Sequence, residues 1–260
     1  MNFKKISLLC IVTLMTGLIM VSGVGAAEEI IDSNIPDSWY EAPKTASEIG
    51  ITEFNQSPIL DEKVANGELL PVEERLPADP PVVEPYNGNV GKYGGTVTLW
   101  DIDLGGRELS YWSYYNSGGG RTTTSGDIVP SVLRDWKFSE DYKSMTLYLR
   151  EGLKYSDGTV FTADDYVYWW DHIAKNKVLN PTAPEDWKPG LMDVTKEDKW
   201  TVTFHWDDKA PLKHFALRLR MNPGSWEPIA PADFMKQFHP DFIGLETANK
   251  LASEKGLETW

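Results

Sequence analysis

Only one cysteine occurs in the 260 residues, Cys10, and it lies inside an apolar N-terminal run. A lone thiol there excludes a disulfide framework, a thiolate nucleophile and a cysteine metal site from the rest of the chain, so the fold must rest on burial of apolar side chains. Leu8 and Leu9 precede it where a lipoprotein cleavage site needs a small residue, so lipidation is not expected. Positive charge is also scarce: 25 Lys and Arg face 39 Asp and Glu, for a formal net charge of -14. Phosphate polymers select basic surfaces, so the balance argues against a nucleic-acid partner and equally against a polybasic membrane-surface role. There is no Gly-x-Ser-x-Gly elbow, no His-Glu-x-x-His and no phosphate-loop lysine motif. His172, His205, His214 and His239 fall at no ligand spacing. Each reads as a surface or internally satisfied histidine, and no catalytic residue, metal or cofactor is expected.

What is present begins with Met1 to Lys5, an apolar stretch of 19 residues from Ile6 to Val24, and Gly25-Ala26-Ala27. This is the layout of a secretory signal, with cleavage after Ala26 or Ala27, so residues 1–26 read as a signal peptide and the protein as exported, periplasmic or extracellular. A run of that length also suits an uncleaved membrane anchor, which is the alternative.

Residues 27–90 carry 14 acidic against three basic residues and eight of the 17 prolines. They finish in Leu76-Pro77-Ala78-Asp79-Pro80-Pro81-Val82-Val83-Glu84-Pro85, where fixed proline torsions favour an extended path. The segment reads as an acidic, proline-rich leader arm, or else a disordered linker. One short helix is predicted inside it, capped by Ser57, entered at Pro58 and stopped at Asn66-Gly67.

From residue 91 the pattern turns to short strands. Thr96–Trp100 places Val97 and Leu99 on one face, and Trp136–Phe138 with Met145–Arg150 reads as a hairpin burying Met145, Leu147 and Leu149. Asp157-Gly158 marks a tight turn. Thr162 and Asp165 form a capping pair for a helix reaching Lys177 with Val167, Trp170 and Ala174 on one face. In Trp200–Trp206 the alternation puts Trp200, Val202, Phe204 and Trp206 together.

Asp157, Asp164 and Asp165 resemble an acid and base set, yet turn and capping duties account for all three. Gly118-Gly119-Gly120-Arg121 reads as a flexible loop, because no strand and helix flank it at anion-loop spacing. The 11 Trp and 11 Tyr are more informative, since flat rings with polar edges suit sugar faces and peptide side chains. Tyr111, Trp112, Tyr114, Asn116 and Ser117, with the nearby Arg121, form the densest candidate ligand-contact loop, and Trp226 in a Pro and Gly loop is a second candidate.

The stretch from Leu133-Arg134-Asp135-Trp136 through Met145–Arg150 to Tyr155-Ser156-Asp157-Gly158-Thr159-Val160-Phe161-Thr162-Ala163-Asp164-Asp165 resembles the signature of the family 5 extracellular solute-binding proteins. Gly91–Val97, Asp198–Phe204 and Pro228–Pro231 are similar to further segments of that family, and the arm is similar to a leader found in one subset. The resemblance spans about residues 50 to 245. It implies an α/β fold of the periplasmic-binding-protein type, two-lobed and closing by hinge motion, of which this chain holds mainly the N-terminal lobe, residues 91–260, with mixed sheet and packed helices. It implies a peptide or oligosaccharide ligand, peptide first, delivered to the permease subunits of an ABC importer. Family members are longer, so the chain is expected to be incomplete. Two other classes remain open: a secreted glycan-active hydrolase or carbohydrate-binding module, using carboxylates such as Asp101 and Asp103, and a truncated remnant that binds no solute.

Overall fold

The computed structural model describes residues 42–85, 88–96, 98, 119–123, 126–182, 190–207 and 229–260. The signal segment and most of the strand expected over residues 96–100 lie outside them. No helix among the described residues is long and apolar enough to cross a membrane.

The proline-rich segment closes on itself. Ala46 N–H donates to the Pro80 carbonyl at 2.9 Å and Val82 N–H to that of Lys44 at 2.8 Å, so its two ends run antiparallel. Asp79 accepts from the Ser47 N–H at 2.9 Å and hydroxyl at 2.7 Å, and these donors hold its carboxyl below the usual range. Between the ends lie a 3-10 turn, Pro58–Leu60, helix α1, Asp61–Ala65, and helix α2, Val72–Arg75. Pro58 opens the turn, Asn66 caps α1 and Gly67 takes a φ of 72°, as the sequence predicts. The Ser57 hydroxyl, expected to cap, makes no cap bond. Ala78 N–H donates to the Glu151 carbonyl at 2.8 Å and Lys154 Nζ to that of Glu74 at 2.6 Å, which seats the segment on the globular part.

That part is built on a four-stranded antiparallel sheet of β3, Leu133–Phe138, β4, Ser144–Leu149, β5, Met192–Asp198, and β6, Thr201–Trp206, in the order β3-β4-β6-β5. The short strands β1, Gly120–Thr122, and β2, Ile128–Pro130, form a separate antiparallel ribbon. Alternation fixes which face is apolar. Met145 lies opposite Phe204 and Leu147 opposite Val202, and these four with Leu149 are at most 1% exposed. On the other face Thr146 and Thr203 join hydroxyls at 3.1 Å. Strand β5 escapes the sequence pattern because only Met192 and Val194 are buried, while the rest of this edge strand is charged or polar.

Helix α3, Ala163–Tyr168, lies on the apolar face. Its start is the predicted capping box: the Thr162 side chain accepts from Asp164 N–H and the Asp165 carboxylate from Thr162 N–H. Tyr166 meets Phe204 edge-on at 5.8 Å. The expected α-helix to Lys177 is not observed. The chain winds into a π-helical turn, Trp169–Ala174, marked by Lys175 N–H donating to the Trp170 carbonyl. Trp170 is 1% exposed and its Nε1 donates to Asp193 of β5 at 2.7 Å. That anchor on a distant strand is invisible to a local helical pattern, and the wider turn accommodates it. Helices α4, Ala232–Met235, α5, Pro240–Ile243, and α6, Leu245–Glu254, follow, with Ala232 N–H donating to Asp165 Oδ1 at 2.8 Å.

Candidate functional site

Of the expected ligand contacts, Tyr111, Trp112, Tyr114, Asn116, Ser117 and Trp226 lie outside the described residues. The backbone of Arg121 lies inside them, in strand β1, Gly120–Thr122, which pairs antiparallel with β2, Ile128–Pro130. The flexible loop read from Gly118-Gly119-Gly120-Arg121 therefore needs correcting: its last two residues are strand. Side-chain size explains why glycine serves there. A Cβ on Gly120 would come within 2.9 Å of Ile128 Cγ2, 3.1 Å of the Val129 carbonyl oxygen and 3.2 Å of the Trp136 ring. The missing side chain lets the ribbon lie against β3.

Polar bonds tie this ribbon to the sheet. Gly119 C=O accepts from Ser131 N–H at 3.1 Å and Leu133 N–H at 3.0 Å, leading directly into β3. At the far end Thr123 N–H donates to the Asp127 carbonyl at 2.8 Å, and Asp127 N–H to Thr123 Oγ1 at 3.0 Å. Beneath it the buried Arg150 donates from Nε to the Ser131 carbonyl at 2.9 Å. Burial lowers the Arg150 pKa, and the nearby Asp79 charge works against that shift. The β1–β2 ribbon, which follows Tyr111–Ser117 in sequence, is thus fixed on the sheet by hydrogen bonds at both of its ends.

The carboxylates that resemble an acid and base set have structural partners. Asp157 accepts from Thr159 N–H at 2.9 Å and hydroxyl at 2.6 Å, Asp164 pairs with Lys196 Nζ at 2.8 Å, and Asp165 holds the two amides already named. Burial raises the Asp165 pKa despite those donors. Asp101 and Asp103 lie outside the described residues. A cleft of about 460 Å³ opens between the arm and the 154–158 turn, but its cations are already engaged: Arg75 with the Leu70 carbonyl and Gln56, Lys154 with Glu74. It is a seam more than a recognition site. One cluster has no sequence signal: His172, His239 and Asp241 meet, although the first two stand 67 residues apart.

Residues 127–252 match the bacterial extracellular solute-binding proteins, family 5, middle region. The periplasmic alpha-galactoside-binding protein of Rhizobium meliloti (strain 1021) is 30% identical over 224 residues, covering 75% of this chain and 31% of that protein. The periplasmic murein peptide-binding protein MppA of Escherichia coli (strain K12) is 45% identical over 58 residues, 22% of this chain and 11% of that one. Among solved structures, an oligopeptide-binding protein OppA superposes with a TM-score of 0.64 at 31% identity, over 79% of this chain and 32% of that one. The chain spans about a third of the length of the relatives it matches most extensively.

Proposed function

The chain belongs to the family 5 bacterial extracellular solute-binding proteins, and from that premise we propose that it captures an oligopeptide or an oligosaccharide outside the cytoplasm for an ABC importer. The observation that carries this reading is the likeness to OppA, at 31% identity over 79% of the chain, in a protein whose name states oligopeptide binding. The oligosaccharide arm rests on the alpha-galactoside-binding relative, which aligns over 75% of the chain. The aromatic loop at Tyr111, Trp112, Tyr114, Asn116 and Ser117, with Arg121 on β1 and Trp226, supplies the contacts. Rings and polar edges serve either ligand class, so the loop composition alone favours neither. Residues 1–26 act as the export signal, 27–90 as the arm and 91–260 as the part that carries the solute contacts. The chain binds without covalent chemistry, and transport energy comes from the importer.

The test is thermal unfolding of the purified chain with a panel of oligopeptides and α-galactoside oligosaccharides. A ligand held only by the native state at about 100 times its Kd adds about 2.7 kcal/mol. In a chain of this size that raises the Tm by about 5–10 °C. A shift from one class alone names the solute. Turnover of a glycan in the same tubes would replace the reading with the hydrolase, and a cooperative melt that no solute moves would sink it.

A further inference from the structure

Three groups that ligate metals converge where the π-helical turn meets the start of α5. His172 Nδ1 lies 2.8 Å from Asp241 Oδ2, and His239 Nδ1 lies 3.6 Å from the same oxygen. One ligand atom from each residue lies within 4.8 Å of the others. The protonation of His239 follows from its partners. Its Nε2 faces the His172 carbonyl at 3.2 Å, and a carbonyl only accepts, so Nε2 carries the proton. Its Nδ1 accepts from the Asp241 N–H at 3.2 Å and therefore presents a lone pair. That lone pair lies 3.6 Å from an Asp241 carboxylate oxygen, so one cation could draw on both.

The surroundings fit the same reading. An N–H of a ligating imidazole bonded to a backbone carbonyl is the usual device that fixes which ring nitrogen faces a metal, and His239 has it. His239 is buried at 4% exposure, and the Tyr168, Phe242 and Trp260 rings enclose the group within about 6 Å. The Tyr168 hydroxyl is buried and has no hydrogen-bond partner among the described residues. Asp241 and His172 are partly open, at 57% and 27%, leaving a path for an ion.

We propose that His172 Nδ1, His239 Nδ1 and Asp241 Oδ2 bind a divalent first-row transition ion, zinc in the first instance, which clamps the π-helical turn to the α5 corner. Two nitrogens and one oxygen suit zinc, with a fourth position left for water. Two ligands on one zinc stand about 3.4 Å apart, from metal distances of about 2.1 Å and tetrahedral angles. The 2.8 and 3.6 Å separations bracket that value, and the two imidazole nitrogens, within 4.8 Å of each other, close in on loading. On loading, the metal takes the place of the proton shared between His172 Nδ1 and Asp241. That proton moves to Nε2 or is released to solvent, and His239 gives up its bond from the Asp241 N–H.

Calorimetric titration of the tag-free, EDTA-stripped chain with zinc chloride tests this, beside H172Q and D241N. Both side chains are partly exposed, so the variants keep the apo fold, and their melts without metal check it. The expected result is one zinc per chain, a wild-type Tm raised by zinc, and affinity reduced about 10-fold or more in each variant. No zinc binding, or binding that either folded variant leaves intact, overturns the proposal.

Discussion

Asp165 joins two parts of the chain that are far apart in sequence, and its replacement by Asn separates two opposed effects. Oδ2 accepts the Thr162 N–H at 2.8 Å, closing the capping box of α3, and Oδ1 accepts the Ala232 N–H at 2.8 Å, holding the entry to α4. An Asn side chain keeps one acceptor and turns an NH2 toward the other amide, so one buried N–H loses its partner, at about 1–3 kcal/mol. Removing the charge returns part of its burial penalty. The net loss at neutral pH should be about 1–2 kcal/mol, a fall in Tm of about 2–8 °C. The pH dependence is the sharper reading. Burial raises the folded pKa above the ordinary 3.8, so across the window between the unfolded and folded values the native state binds more protons. Stability contributed by Asp165 is therefore full below that window and is lost as pH rises through it. Asn has no such dependence, so D165N should trail the wild type by more at pH of about 4 than at about 7. Urea unfolding of both proteins at the two pH values measures this. A deficit that is equal or larger at neutral pH would show that the two amide donors outweigh burial, refuting the reasoning.

Other substitutions probe the scaffold. Leu147→Ala removes a side chain at 1% exposure from the centre of the sheet and should cost about 2–5 kcal/mol in denaturant unfolding. Gly120→Val drives a branched side chain into Ile128, the Val129 carbonyl and Trp136, and a loss of about 1–3 kcal/mol is expected, with solute affinity falling as the ribbon shifts. Tyr142 holds a φ of 58° in the β3–β4 turn while 57% exposed, a conformation Asn adopts more readily. Tyr142→Asn should raise the Tm slightly, and a fall would mean that its contact with Phe138 at 6.4 Å matters more than the backbone.

The elements legible in the sequence are those whose cause is local. Met145, Leu147 and Leu149 alternate with polar neighbours, so the hairpin face follows from spacing alone, and Val202 and Phe204 supply the matching strand. Thr162 and Asp165 stand three residues apart, and the capping box forms where that spacing predicts. What stayed hidden depends on partners elsewhere. Trp170 reaches Asp193 across 23 residues and takes the helix into a π turn. Gly120 is strand because it pairs with Pro130, and only glycine fits there against Ile128 and Trp136, constraints that a run of glycines does not display. His172 and His239 carry no metal-ligand spacing, and only the packing of α3's π turn against α5 brings them together.

The central proposal is solute capture by the aromatic segment Tyr111–Ser117, which precedes β1 in sequence. Calorimetry with the solute identified in the melting screen, comparing the wild type with Trp112→Ala and Tyr114→Ala, tests it most directly. Loss of a ring contact of about 1 kcal/mol predicts at least a roughly fivefold weakening in each variant with the Tm of the free protein unchanged. Undiminished affinity in both variants would contradict the account.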